Sequence, residues 1–253
     1  MTIYHGAQHS LAFCARDLDL PPDAEREISI KIADSFVERK QAFQLVYNSY
    51  LQANLILPNP YGLRVTPFHL DQDTQIFIAI LRGEALCTYS LVVDSERGLP
   101  MESVYAEEVA ERRRLGRRIV EITSLADRRK QLRRFIPMLM QISRLMLHYA
   151  MNQQFEEILM VVHPKHVWFY ERFLGCEIIG PPRTYPEVRD QPAVPLKLDV
   201  SAVSNRSDLQ QFIGKVMDPE SIQPQRMSAA ERQYFGTVVG HKPANPMLLA
   251  GSA

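Results

Sequence analysis

One carboxylate is conspicuous for its setting. Glu121 lies within the apolar-rich run RIVEITSLA (118–126), which reads as a strand. A carboxylate in such a run usually has a partner or a task, because burial disfavours its charged form. Burial would raise its pKa and make it a proton acceptor suited to neutral pH. The competing reading is a structural glutamate paired with one of the nearby arginines. A long loop, NLILPNPYGLRVTPFHLDQDT (54–74), carries Arg64 and His69. An arginine fork matches a carboxylate bidentately, and functional residues concentrate on loops of this kind. A solvated arginine and an ordinary packed histidine are the plainer alternatives. His163 and His166 have a metal-ligand spacing, but no third ligand is evident, so no metal site is expected. Cys14, Cys87 and Cys176 are odd in number and far apart, which fits neither a disulfide framework nor a zinc signature.

Ten basic residues lie between Arg112 and Arg134: Arg112, Arg113, Arg114, Arg117, Arg118, Arg128, Arg129, Lys130, Arg133 and Arg134. Such a run is usually a solvated face, and it can also present a local positive patch to an acidic partner. No aromatic stacking surface or reading motif accompanies it, so nucleic acid is not an expected partner. Over the whole chain 29 basic side chains balance 29 acidic ones. No apolar run approaches the roughly 20 residues that span a bilayer, so stable membrane insertion is not expected. MTIYHGAQHSLAF at the start does not read as a signal peptide, and a reducing cytoplasm is the expected location.

The elements that must position these residues can be read from period and punctuation. EISIKIA (27–33) alternates like a strand, and Asp34 or Ser35 can cap the helix that follows, with Phe36, Ala42, Phe43, Val46, Tyr47 and Tyr50 at helical spacing. After the long loop, QIFIAIL (75–81) and EALCTYSLVVD (84–94) read as a hairpin turning at Arg82-Gly83. The strand bearing Glu121 precedes a methionine-rich helix, Ile136 to Gln153, with Pro137 suiting its first turn. FEEILMVV (155–162) is a strand, HPKHVWFYERFLG (163–175) a short helix, and CEIIG and VPLKLDV (194–200) further strands. This order predicts an α/β (α+β) fold, a mixed sheet flanked by helices. Residues 1–27 read as an N-terminal arm and 201–253 as a small helical C-terminal appendix.

That order, with five segments in register, resembles the GNAT superfamily and, more closely, N-acyl amino acid synthases of the FeeM type, relatives of the acyl-homoserine-lactone synthases. The segments are AFQLVYNSYLQANLI (42–56), NPYGLRVTPFHLDQDTQIFIAI (59–80), TYSLVVDSERGLPMESVY (88–105), RRIVEITSLADRR (117–129) and HPKHVWFYERFLGCEIIG (163–180). The resemblance spans residues 28–200 and implies a GNAT-like acyltransferase domain there, moving a long-chain acyl group from an acyl carrier protein thioester to the amine of an amino acid. It implies that Glu121 is the base beside the acceptor and Tyr170 the acid for the departing thiolate. Plain core packing of Tyr170 remains the alternative, since Gly175 follows one residue later than in the common acetyltransferase pattern. Arg64, His69, Thr123 and Ser124 form the expected substrate-binding set, and strand amides the oxyanion site.

Arg128, Arg129, Lys130, Arg133 and Arg134 follow the central strand, where the resembled enzymes admit a phosphopantetheine arm. Coenzyme A-dependent acetyltransferases place a glycine-bearing loop there. ADRRKQLRRF has no glycine and suits an acidic carrier protein. Met138, Met140, Met146 and Met151 could wall an acyl tunnel or simply fill the core. No resident cofactor is expected: acyl-phosphopantetheine or acyl-CoA arrives as the donor substrate. The rival readings are an acetyl-CoA-dependent N-acetyltransferase of small amines and a catalytically silent carrier-binding module. QLVYNSY lacks the arginine that acyl-homoserine-lactone synthases carry near this point.

Overall fold

A computed structural model describes residues 28–128, 132–205, 210, 213–214, 217 and 219–240; the expected arm 1–27 lies outside the described residues. The first strand, β1 (Ile28–Ile32), leads into α1 (Phe36–Gln52). Ser35 is the cap of this helix, its hydroxyl accepting the Glu38 N–H at 3.4 Å. The predicted hairpin forms as β2 (Gln75–Leu81) and β3 (Glu84–Val93). The charged stretch that follows folds as α2 (Glu102–Arg114), and the strand bearing the buried carboxylate is β4 (Ile119–Asp127). The methionine-rich helix α3 spans Leu132–Asn152, so Pro137 falls in its second turn and not, as expected, its first. The rest of the sheet is β5 (Glu157–Val162), β6 (Glu177–Ile178), β7 (Arg183–Tyr185) and β8 (Gln191–Asp199). Short α4 (Pro164–Phe169) follows β5, while α5 (Val200–Asn205) and α6 (Ala229–Gly240) are the last helices among the described residues.

The eight strands form one mixed sheet in the order β1-β2-β3-β4-β5-β8-β6, with β7 on β8. Every pairing is antiparallel except β4 with β5. Strand alternation sorts the core onto two faces. Phe77, Tyr89, Leu91, Val120, Ile158 and Leu196 join Met138, Ile142 and Met146 of α3 in the largest apolar cluster. On the opposite face Ile76, Ile78, Ala85 and Ala126 pack on Ala42, Phe43 and Val46 of α1, while Val92, Ile119 and Leu159 pack beneath Tyr105 and Val109 of α2.

Described residues after 200 pack against the sheet domain. Met227, Phe235 and Val238 belong to the same cluster as Phe43. Glu231 of α6 pairs with Arg39 of α1 at 2.6 Å, the arginine being only 2% exposed. Removing one partner of so enclosed a pair strands the other charge and costs roughly 3–5 kcal/mol.

Candidate functional site

The parallel pair β4–β5 is short. Its ladder runs from Ile119–Glu157 to Ile122–Met160 and stops, although both strands continue. β5 goes on pairing with β8 as far as Val162–Val194, while β4 departs through a bulge. Between the pairs Thr88–Ala126 and Ser90–Thr123, two residues of β4, Ser124 and Leu125, oppose the single residue Tyr89. Ser124 sits at φ 57°, in the left-handed region that non-glycine residues seldom occupy. Bulges re-aim a strand and leave backbone groups outside the ladder. The two strands therefore splay, and a cavity of about 480 Å³ fills the gap between them.

Glu121 lines this cavity one step before the β4–β5 ladder ends. Its neighbours across the sheet are Val92 and Leu159, both apolar. One carboxylate oxygen accepts the Met101 N–H at 2.8 Å. That amide lies at the start of α2, where the first N–H groups have no helical acceptor. Burial pushes the carboxyl up to about 8; the Met101 hydrogen bond opposes the rise, and the charges of Glu102 and Glu187 reinforce it. Among the described residues no cation pairs with it, so the arginine-paired alternative is not what the fold builds.

Arg64, Thr123, Ser124 and Tyr170 line the same cavity. The Arg64 guanidinium lies over the Tyr50 ring at 5.0 Å, and its buried Nε has no hydrogen-bond partner among the described residues. A cation held half-bare beside a cavity suits an incoming anion. Tyr170 opens a π-helical turn, Tyr170–Leu174, closed by Gly175 at φ 72°. The wider turn absorbs the extra residue before the glycine. Burial drives the phenol of Tyr170 well above its ordinary range, so it stays neutral. His163 and His166 stand at the mouth with ring centroids 6.3 Å apart, and His163 Nδ1 accepts the Lys165 N–H at 3.2 Å.

His69 is placed differently from its expected carboxylate-binding role. It is fully buried and does not line the cavity. Its Nδ1 accepts the Thr66 N–H at 2.9 Å and its Nε2 meets Ser90 Oγ at 3.1 Å, so it pins the loop to β3. Burial, aided by the Arg64 charge, lowers its pKa to about 3, and the ring is neutral.

The basic run divides in two. Arg113 grips Asp94 and Glu102 at 2.6 and 2.5 Å, and Arg117 grips Glu156 at 3.0 Å, so these two arginines of the first half are paired within the fold. In the second half Arg128 is exposed and pairs with Glu84. Arg129 and Lys130 lie outside the described residues, as do the side chains of Arg133 and Arg134.

Several residues of the site carried no sequence signal. Met101 contributes only a backbone amide, and Tyr185 reaches the cavity from the three-residue strand β7, which was not foreseen. Ser143 and Tyr89 meet at its inner wall, where Tyr89 donates to the Ile142 carbonyl at 2.9 Å. Deeper still, Leu125, Leu139, Met146, Leu147, Met160 and Leu198 give the cavity an apolar floor. Alternation along α3 could have suggested some of these, but not which of them face a void.

A family model described as N-acyl amino acid synthase FeeM matches residues 41–199. No curated protein sequence matches the chain. Among solved structures, FeeM, an N-acyl amino acid synthase from uncultured soil microbes, is 24% identical with a TM-score of 0.64, over 73% of this chain and 96% of that one. The CoA-dependent acyl-homoserine lactone synthase BjaI, solved with SAM and isopentyl-CoA, is 16% identical with a TM-score of 0.56, over 83% of this chain and 100% of its own. The acyl-homoserine-lactone synthase LasI gives 13% identity and a TM-score of 0.55, over 76% and 96%. At these identities the solved structures establish the shared GNAT-like fold.

Proposed function

Since this chain belongs to the family of the N-acyl amino acid synthase FeeM and is an N-acyltransferase, we propose that it moves a long-chain acyl group from an acyl carrier protein thioester to the amine of an amino acid. The observation that carries the reading is Glu121: a buried carboxylate that no cation pairs with among the described residues, at the edge of a cavity between two splayed strands. An amine acceptor is mostly protonated at neutral pH and cannot attack until it loses that proton. Glu121, with its pKa near 8, takes the proton once ionised. The nitrogen then bonds to the thioester carbonyl carbon, the C–S bond breaks, the nitrogen sheds its second proton, and an amide and a thiolate result.

The remaining residues have matching tasks. A backbone amide freed by the bulge at Ser124 and Leu125 stabilises the oxyanion. Tyr170 hydrogen-bonds the departing thiolate. Its raised pKa makes full proton transfer to a group with a conjugate acid near ~8.5 uphill, so the thiolate takes, relayed through water, the second proton that the attacking nitrogen sheds. Arg64 receives the acceptor's carboxylate through a charge-assisted fork. The apolar floor with Met146 and Met160 houses an acyl chain, which an acetyl donor would leave empty. The segment from Arg128 through Arg134 receives the acidic carrier. The test is incubation of the full chain with long-chain acyl carrier protein, the matching acyl-CoA and acetyl-CoA, each with a mixture of amino acids, reading products by mass. N-acyl amino acids from the long-chain carrier support the reading, while acetylated products alone overturn it.

A further inference from the structure

Residues after Val200 lie beyond the family match, which ends at 199, yet they reach the loop that carries Arg64. Phe235 of α6 is fully buried, stacks on Phe36 at 5.4 Å and meets Phe43 edge-on at 4.9 Å. Phe43 in turn meets the His69 ring edge-on at 5.0 Å, and its carbonyl accepts the Arg64 N–H at 3.1 Å. His69 holds the Thr66 N–H, and Thr66 lines the cavity with Arg64 and Phe68. Leu70 of the same loop lies against Gly236.

The attachment of α6 is doubly fixed. Glu231 pairs with Arg39, whose other nitrogen donates to the Gln225 carbonyl at 3.2 Å, and the Gln225 N–H donates to Gln75 Oε1 at 2.7 Å. Gln75 begins the strand that ends the loop and is itself fully buried. The C-terminal segment is thus fastened to both sides of the loop, to α1 before it and to β2 after it.

We infer that residues 225–240 clamp the acceptor-binding loop, with Phe235 a positioning residue that seats Arg64 through Phe43 and His69. This rests on Arg64 serving the acceptor, as in the function proposed above. The geometry assigns a selective defect: loosening the clamp lets Arg64 wander while Glu121, the bulge and the donor side of the cavity stay in place. Displacements of about 1 Å at a distance from the chemistry are enough to cost one to two orders of magnitude.

The test uses full-length Phe235→Ala and Phe235→Leu beside the wild type, with dodecanoyl carrier protein as donor and the amino acid that the wild type acylates fastest as acceptor. The expected result is an acceptor KM raised about tenfold in Phe235→Ala and less in Phe235→Leu, with donor KM within about twofold of the wild type. Amide exchange across residues 63–70 should quicken in both variants. A merely structural role would lower the active fraction and leave both KM values alone. A folded variant with wild-type acceptor KM, or one in which both KM values rise together, overturns the clamp. If Phe235→Ala does not fold, Phe235→Leu decides by the same two readouts. If the wild type acylates no amino acid, the proposed function fails, and unchanged exchange at 63–70 then separately overturns the clamp.

Discussion

At the scale of single residues, the chemistry depends on one proton. Glu121 has a folded-state pKa near 8 against an ordinary 4.5, because desolvation outweighs the single hydrogen bond from Met101. The catalytic consequence is that kcat/KM climbs with pH up to about 8, and that Glu121→Gln loses this dependence with roughly 100-fold or more of kcat. The thermodynamic consequence has the opposite slope. A carboxyl whose pKa is raised on folding binds its proton more tightly in the native state, so its contribution to stability is complete below 4.5 and falls as pH rises towards 8. The loss runs at up to ~1.4 kcal/mol per pH unit. Glu121→Gln removes that penalty, so the melting temperature of the variant should gain on the wild type between acid and mildly alkaline buffer. Equal pH profiles for the two proteins would contradict a buried, protonated Glu121. Arg64→Lys keeps the charge but loses the fork. It should raise acceptor KM about tenfold with little change in kcat, as initial rates over acceptor concentration would show.

At the scale of elements, the decisive feature is the end of the β4–β5 ladder. A parallel pair that stops after Ile122–Met160, next to a bulge, makes a slot through an otherwise continuous sheet. The slot joins a polar side, with Glu121, Arg64 and Tyr185, to an apolar side beneath α3. Ser124 holds the bulge at φ 57°. Glycine tolerates that conformation, whereas a β-branched side chain is strained there by about 1–2 kcal/mol. Ser124→Gly should therefore keep the fold and most of kcat. Ser124→Val should lower both the urea midpoint and kcat, since relaxing the bulge moves the proposed oxyanion amide. Acceptor KM should hold steady in both.

At the scale of the whole molecule, the formal net charge is zero, so any attraction for an acidic carrier is local. Arg113 of α2 and Arg117 after it are matched by Asp94, Glu102 and Glu156, and the proposed carrier patch is the basic stretch that follows β4 in the sequence. Exposed charges of this kind are screened within about 8–10 Å at physiological salt. Donor KM should therefore rise steeply between low and moderate salt when the donor is carrier protein, and more gently with acyl-CoA. Steady-state rates across a salt series would reveal the difference, and parallel curves would remove the carrier patch. The same scale explains the tail. Its polar, weakly patterned sequence reads as an appendix, yet Met227, Phe235 and Val238 complete the core over α1.

What the sequence determined by itself is whatever depends on near neighbours. Alternation placed the hairpin of β2 and β3, helical spacing placed the buried face of α1, and an acid in an apolar run marked Glu121 before any contact was known. Tertiary structure alone decided what depends on residues far apart in the chain. It set the splay of β4 from β5, the Met101 amide on Glu121, the reach of Tyr185 into the cavity, and the fate of two loop residues five positions apart. Arg64 was left lining a void with its Nε unpaired among the described residues, and His69 was sealed against Ser90 and Phe43. The physical reason is that a side chain's chemistry follows from its desolvation and its partners, and both are set by segments that meet only when the chain has folded.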